Sequence, residues 1–138
     1  MGHRRDARLN ALQTLYLLDT SKMSLDQTLK FGGSKEMPPE TKEFYDQLVQ
    51  GFLSRKDEVD VLIQKYAINW EMGRMALVDR NILRIAVYEI LAEVKTPLSV
   101  IIDEAIEISK EYSTEDSSKF INGILDKMKQ ERASVSGS

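Results

Sequence analysis

Apolar residues recur at three- and four-residue intervals along almost the whole chain, the period of helices that bury one stripe. Between Arg4 and Asp19 two interleaved series run together: Leu9, Leu12 and Tyr16, and Ala11, Leu15 and Leu18. Ser24 with Gln27 has the form of a capping box, predicting a short helix through Leu25 and Leu29 towards Phe31. Gly32, Gly33 and Ser34 are expected to stop it, and Pro38 and Pro39 mark a loop before the next start. Phe44, Leu48 and Phe52 follow at four-residue steps. Beyond the charged patch from Arg55 to Glu58, Val59, Leu62, Ile63 and Tyr66 keep the helical period. One bent helix or two abutting ones fit that stretch.

Asn69 and Trp70 fall in an expected turn. Met75 to Leu91 is the most apolar segment, with Val78, Ile82, Leu83, Ala86, Val87, Ile90 and Leu91 covering most of a helix circumference. A helix apolar on more than one face is expected at the centre of the packing, ending here near Lys95. Thr96 and Pro97 have the pattern of a cap followed by proline at the first helical position. Ile101, Ala105, Ile108 and Tyr112 form the next stripe. Ser113 or Thr114 is expected to cap the last helix, with Ile121, Ile124, Leu125 and Met128 facing inward. No stretch alternates like a strand, so the reading is all-α: a compact helical domain of about seven helices over residues 1–132, with 133–138 a disordered tail.

A length of 138 residues suits one domain. An apolar fraction of 42% and a charged fraction of 30% belong to a globular chain rather than a disordered one. No apolar run approaches the roughly 20 residues of a membrane span, and charged residues occupy the place of a signal-peptide core. A cytoplasmic location is expected, with no membrane contact. The chain has no Cys and one His, His3, so thiolate or multi-histidine metal sites and a Ser-His-Asp set are not available. No Gly-rich phosphate loop occurs. Asp103 and Glu107, one helical turn apart with Glu104 between them, read as a solvated helix face. A binding protein without cofactor or metal is expected, not an enzyme.

With a net charge of −3, any nucleic-acid binding must rest on a local patch. Arg4, Arg5 and Arg8 form the densest cationic cluster, and Arg4 and Arg8, one turn apart, could reach adjacent phosphates. Cations sit poorly at a helix N-terminus, which suggests an anionic partner for them. Tyr16 lies eleven residues after Arg5, at nearly the same azimuth, where it could stack on a base or simply close the core. Asp116, Lys119 and Phe120 cluster one turn apart in the last helix. The same three positions suit either a half-buried ring on a capped helix or a platform for unpaired bases.

Three blocks, RRDARLNALQTLY (Arg4 to Tyr16), ALVDRNILRIAVYEIL (Ala76 to Leu91) and IIDEAIEISKEYSTEDSSKFINGILDKM (Ile101 to Met128), resemble the NusB transcription antitermination family in order and spacing. The resemblance implies two small helical bundles, about 1–67 and about 70–132. It also implies binding of boxA-type single-stranded RNA together with NusE, a small-subunit ribosomal protein. The assembly so implied joins the RNA polymerase elongation complex and other Nus factors and resists termination in ribosomal RNA operons. Carried over by position, the RNA contacts are Arg4, Arg5, Arg8, Tyr16, Asp116, Lys119 and Phe120, and the NusE contact is Asp79. Two departures stand out: Asp6 splits the basic run, and Ser118 occupies a place where the family often carries His. Two alternatives are an RNA-binding module of a ribosomal RNA cytosine methyltransferase and a purely protein-binding helical module.

Overall fold

Burial of these stripes gives, in a computed structural model that describes residues 2–32 and 36–135, eight α-helices and one 3-10 turn. They are α1 (Gly2–Thr20), α2 (Leu25–Gly32), α3 (Pro39–Ser54), α4 (Lys56–Tyr66), α5 (Leu77–Ala92), α6 (Leu98–Tyr112), α7 (Glu115–Asp126) and α8 (Lys129–Val135), with the 3-10 turn at Met72–Arg74 before α5. Among the described residues there is no strand, and no helix is long and apolar enough to cross a membrane. Helix α5 is the axis of the packing, in contact with α1, α3, α4, α6, α7 and α8. Every residue from Asn81 to Leu91 is buried, as its near-continuous apolar run foretells. One hydrophobic cluster reaches from Ala7 to Met128.

A buried helix that carries Asn81, Arg84 and Glu89 must satisfy those groups from its neighbours. Asn81 donates to Asp19 of α1 at 2.9 Å. The Arg84 fork donates to both carboxylate oxygens of Asp60 on α4, at 2.9 and 3.0 Å. Glu89 takes both donors of Arg8 on α1. Polar pairs therefore tie α1 and α4 to the central helix at three heights.

Local signals are obeyed at several joints. Ser24 and Gln27 form the reciprocal capping box, Gln27 N–H to Ser24 Oγ at 3.2 Å and Ser24 N–H to Gln27 Oε1 at 2.9 Å. Helices α3 and α4 abut at Arg55, which belongs to neither. Thr114, not Ser113, caps α7 by accepting from Ser117 N–H. Asn69 adopts φ 72, a left-handed turn conformation that Asn tolerates better than most residues.

Other joints differ from expectation. Helix α5 stops at Ala92, before Lys95, and the Arg132 guanidinium satisfies carbonyls at its end, those of Glu89, Ile90 and the capping Glu93. Thr96 spends its N–H on Glu93 O and its carbonyl on Arg132, so Pro97 becomes the residue before α6, without a side-chain cap. The last helix breaks after Asp126, and α8 carries helical backbone as far as Val135, into the stretch expected to fray. Residues 136–138, and the stop signals Gly33 and Ser34, lie outside the described residues.

Gly51 of α3 leaves room for the Tyr88 side chain of α5. A Cβ at this position would lie 2.0 Å from the Tyr88 hydroxyl oxygen and 2.3 Å from its ring carbon. A ring held between two helices cannot fold away as a lysine tail would. Gly51→Ala should therefore lower stability by about 1–3 kcal/mol, read as a shift of the urea midpoint. An unchanged midpoint would mean that Tyr88 has room to swing.

Candidate nucleic-acid interface

The three arginines of α1 meet acids within the fold. Arg8 is 4% exposed at its side chain; it donates to Glu89 at 2.7 and 2.8 Å and to Glu104 at 3.1 Å. Arg5 forms a two-pronged pair with Glu104 at 2.6 and 2.8 Å. Arg4 lies over the Phe44 ring at 4.2 Å from its centroid and 4.0 Å from Glu93, half exposed. The anionic partners that the unfavourable dipole position calls for are thus Glu89, Glu93 and Glu104 of this same chain. This corrects the expectation that Arg4 and Arg8 present themselves side by side to phosphates, since the Arg8 guanidinium is enclosed. It also corrects the reading of Glu104 as part of a solvated face.

Burial pushes the Glu89 carboxyl above the usual carboxylate range, with the Arg8 hydrogen bonds pulling against it. Glu104 is held below that range, first by its hydrogen bonds to Arg5 and then by the charges of Arg5 and Arg8. Folded Glu104 therefore binds a proton less readily than it does in the unfolded chain. The stability it contributes is present above the ordinary carboxylate pKa and is lost as pH falls through that range and below it. Glu104→Gln should flatten the decline in urea midpoint from about pH 5 downward. A decline as steep as the parent's would remove Glu104 from the acid response.

Tyr16 is 41% exposed and so does not close the core. It lines a groove of about 550 Å³ with Asp6, Asn10 and Gln13 of α1, Val78 of α5 and Tyr112 at the end of α6. Tyr112 is 50% exposed, because α6 ends at that residue and leaves its ring at the rim of the core. Two phenol rings and two side-chain amides thus share one open groove. A second depression, of about 310 Å³, is lined by Trp70, Arg74, Met75, Asp79, Asp116 and Phe120, among others. Both draw on the start of α5, where Val78 lines the first and its neighbour Asp79 the second.

Phe120 is partly buried, with its ring edge-on to Trp70 at 5.4 Å between centroids. Asp116 is exposed beside it; Lys119 is exposed on α7 but does not line the depression. Asp79 is buried, with its carboxylate accepting from Ser113 Oγ at 2.6 Å and Ser117 Oγ at 2.7 Å. That brace joins α5 to the α6–α7 corner. The acid carried over as the NusE contact is thus turned inward, and charge reversal at Asp79 would leave a buried charge without its brace inside the corner.

Five residues central to this geometry are not among the binding residues that the sequence marks: Glu89, Glu104, Tyr112, Trp70 and Arg74. An aromatic letter in a turn, or at the last position of a stripe, is the one clue that could have flagged Trp70 and Tyr112.

The sequence profile of the NusB family matches residues 5–130. A transcription antitermination protein NusB from Elusimicrobium minutum is 45% identical over 135 residues, covering 96% of each chain. Among solved structures, NusB of T. maritima superposes with a TM-score of 0.85 at 39% identity, covering 93% of this chain and 91% of that one. A chain from a structure described as the antitermination factors NusB and NusE in complex with dsRNA superposes with a TM-score of 0.82 at 25% identity, over 95% of this chain and 98% of the other. Profile, relative and superposition all extend over nearly the full length, and the chain belongs to the NusB family.

Proposed function

We propose that this chain is a transcription antitermination factor that binds boxA-type single-stranded RNA together with NusE, within the RNA polymerase elongation complex and its other Nus factors. The observation that carries the reading is the set of open aromatic depressions, Tyr16 with Tyr112 and Phe120 with Trp70, on a fold shared with a chain from a structure of NusB and NusE described in complex with dsRNA. In this reading Tyr16 and Phe120 stack on unpaired bases, and Asp116 offers hydrogen-bond acceptors to base edges. Arg4 and Lys119, with their exposed heads, supply phosphate contacts. Arg5, whose guanidinium is engaged by Glu104 and which lines neither depression, contributes less than Arg4 in this reading. Arg8 contributes by fixing α1 against α5, and Asp79 shapes the NusE-facing corner through its serine brace. The activity is binding rather than catalysis, and it takes place in the cytoplasm.

The test is a titration of labelled boxA RNA with the protein over a salt series, with and without NusE. Tightest binding is expected with NusE present, with affinity falling as salt rises. Arg4→Ala should reduce the slope of log K against log salt by about 0.7, the loss of one phosphate contact on a single strand. Absence of RNA binding under both conditions would favour a purely protein-binding module.

A further inference from the structure

Trp70 is a large apolar ring on a loop, 53% exposed, yet the loop that carries it is fixed. The Gln64 side chain on α4 grips the loop at two points, donating to Trp70 O and accepting from Met72 N–H at 3.0 Å. Asn69 makes the left-handed turn that precedes it, and Phe120 braces the ring edge-on. Holding an exposed indole in one orientation costs conformational entropy and leaves apolar surface in water. Such an arrangement gains when a flat partner covers the ring.

Arg74 stands at the same depression, 82% exposed at its side chain. Its contact with Glu71, at 3.8 Å with both partners open to water, is of the kind worth little, so the guanidinium can exchange that partner for a phosphate. An indole face, a neighbouring cation and the exposed Asp116 carboxylate are together the chemistry that takes one unpaired nucleotide: base on the ring, phosphate on the cation, base-edge N–H on the carboxylate.

We propose that Trp70 and Arg74 extend the RNA track by one nucleotide beyond Phe120, with Trp70 as the stacking platform and Arg74 as its phosphate contact. This rests on the reading of the Tyr16–Phe120 face as the RNA-binding face and adds a subsite to it. The subsite lies in the segment before α5, outside the two regions that the arginine cluster and the α7 cluster mark.

Trp70 is the only tryptophan in the chain, so its fluorescence reports the subsite directly. The experiment titrates boxA RNA into the full chain in the presence of NusE, following in parallel Trp70 emission and the anisotropy of the labelled RNA. Quenching of Trp70 that tracks the anisotropy curve is expected. Trp70→Ala should weaken binding about five- to 150-fold, the range of one lost base stack, and Trp70→Phe should recover most of it. Arg74→Ala should lower the salt slope by about 0.7 while leaving the quenching in place at saturation. A urea midpoint close to the parent's is expected for Arg74→Ala; Trp70→Ala also loses the edge contact with Phe120, so its RNA titration is run well below its unfolding transition.

RNA binding with silent Trp70 emission and an unchanged Trp70→Ala affinity would overturn the subsite and leave the wider face standing. Emission that responds to NusE alone, and not to subsequent RNA, would assign Trp70 to the protein partner and likewise overturn it. No RNA binding by any readout would remove both the subsite and the face on which it rests.

Discussion

Arg8→Ala is expected to destabilise the fold by about 3–5 kcal/mol, a large share of the stability of a domain this size. The cause is the carboxylate left behind. Glu89 is 2% exposed at its side chain, and Arg8 is the group that fills both of its oxygens. Without the guanidinium, Glu89 must hold an unpaired charge on the central helix or take up a proton, for which burial already primes it. Loss of the Phe44 contact, where the Arg8 guanidinium lies 5.4 Å from the ring centroid, adds to the cost. Urea unfolding measures the effect, and Arg8→Met combined with Glu89→Leu should recover much of it by replacing the ion pair with apolar volume. If the single variant unfolds at the parent's midpoint, the ion pair does not hold α1 to α5. A fall in RNA affinity for Arg8→Ala would on these grounds be a folding effect and not a missing phosphate contact.

Phe120→Ala should weaken boxA RNA binding by roughly 1–3 kcal/mol, about five- to 150-fold in Kd. The ring is partly buried, so the variant also loses some packing against Trp70 and the core margin. The two effects separate in measurement: an RNA titration well below the unfolding transition reads the stack, and the urea midpoint reads the packing. Phe120→Tyr, which keeps a ring, should restore most of the affinity. Equal Kd values for parent and Phe120→Ala would take Phe120 out of the binding face.

Periodicity made the helical body legible. The stripes became α1 to α7, the capping box formed with both of its bonds, and the densely apolar Met75–Leu91 segment lies on the axis of the packing. What the pattern could not locate were joints decided at a distance. The carbonyls at the end of α5 are satisfied by Arg132, some forty residues further along. The charges were hidden for the same reason: a run of arginines looks like a surface patch until folding brings Glu89 and Glu104 beside it, 81 and 96 residues away. Spacing along one helix gives the face a side chain points from, not the charge that waits opposite.

Candidate positions were legible to differing degrees. Tyr16 keeps its place on an open groove, and Asp116 and Phe120 share a depression. Asp79 is marked only by the family resemblance, as the NusE contact on the Ala76–Leu91 helix, and the two serines that turn it inward come from the α6–α7 corner. Tyr112 was read as the end of a buried stripe; the helix terminates there, so no following turn covers it. Trp70 stood out only as an aromatic residue in a turn, and its relation to Phe120 depends on the packing of two segments fifty residues apart.

The most direct measurement is a map of backbone amide NMR shifts as boxA RNA is added to the labelled protein bound to NusE. Changes are expected along Asn10 to Tyr16 of α1 and from Tyr112 to Phe120 across the α6–α7 corner, with little change on the outer face of α4 around Val61. Shifts confined to α3 and α4, with α1 and α7 unmoved, would contradict the assignment of the aromatic face to RNA.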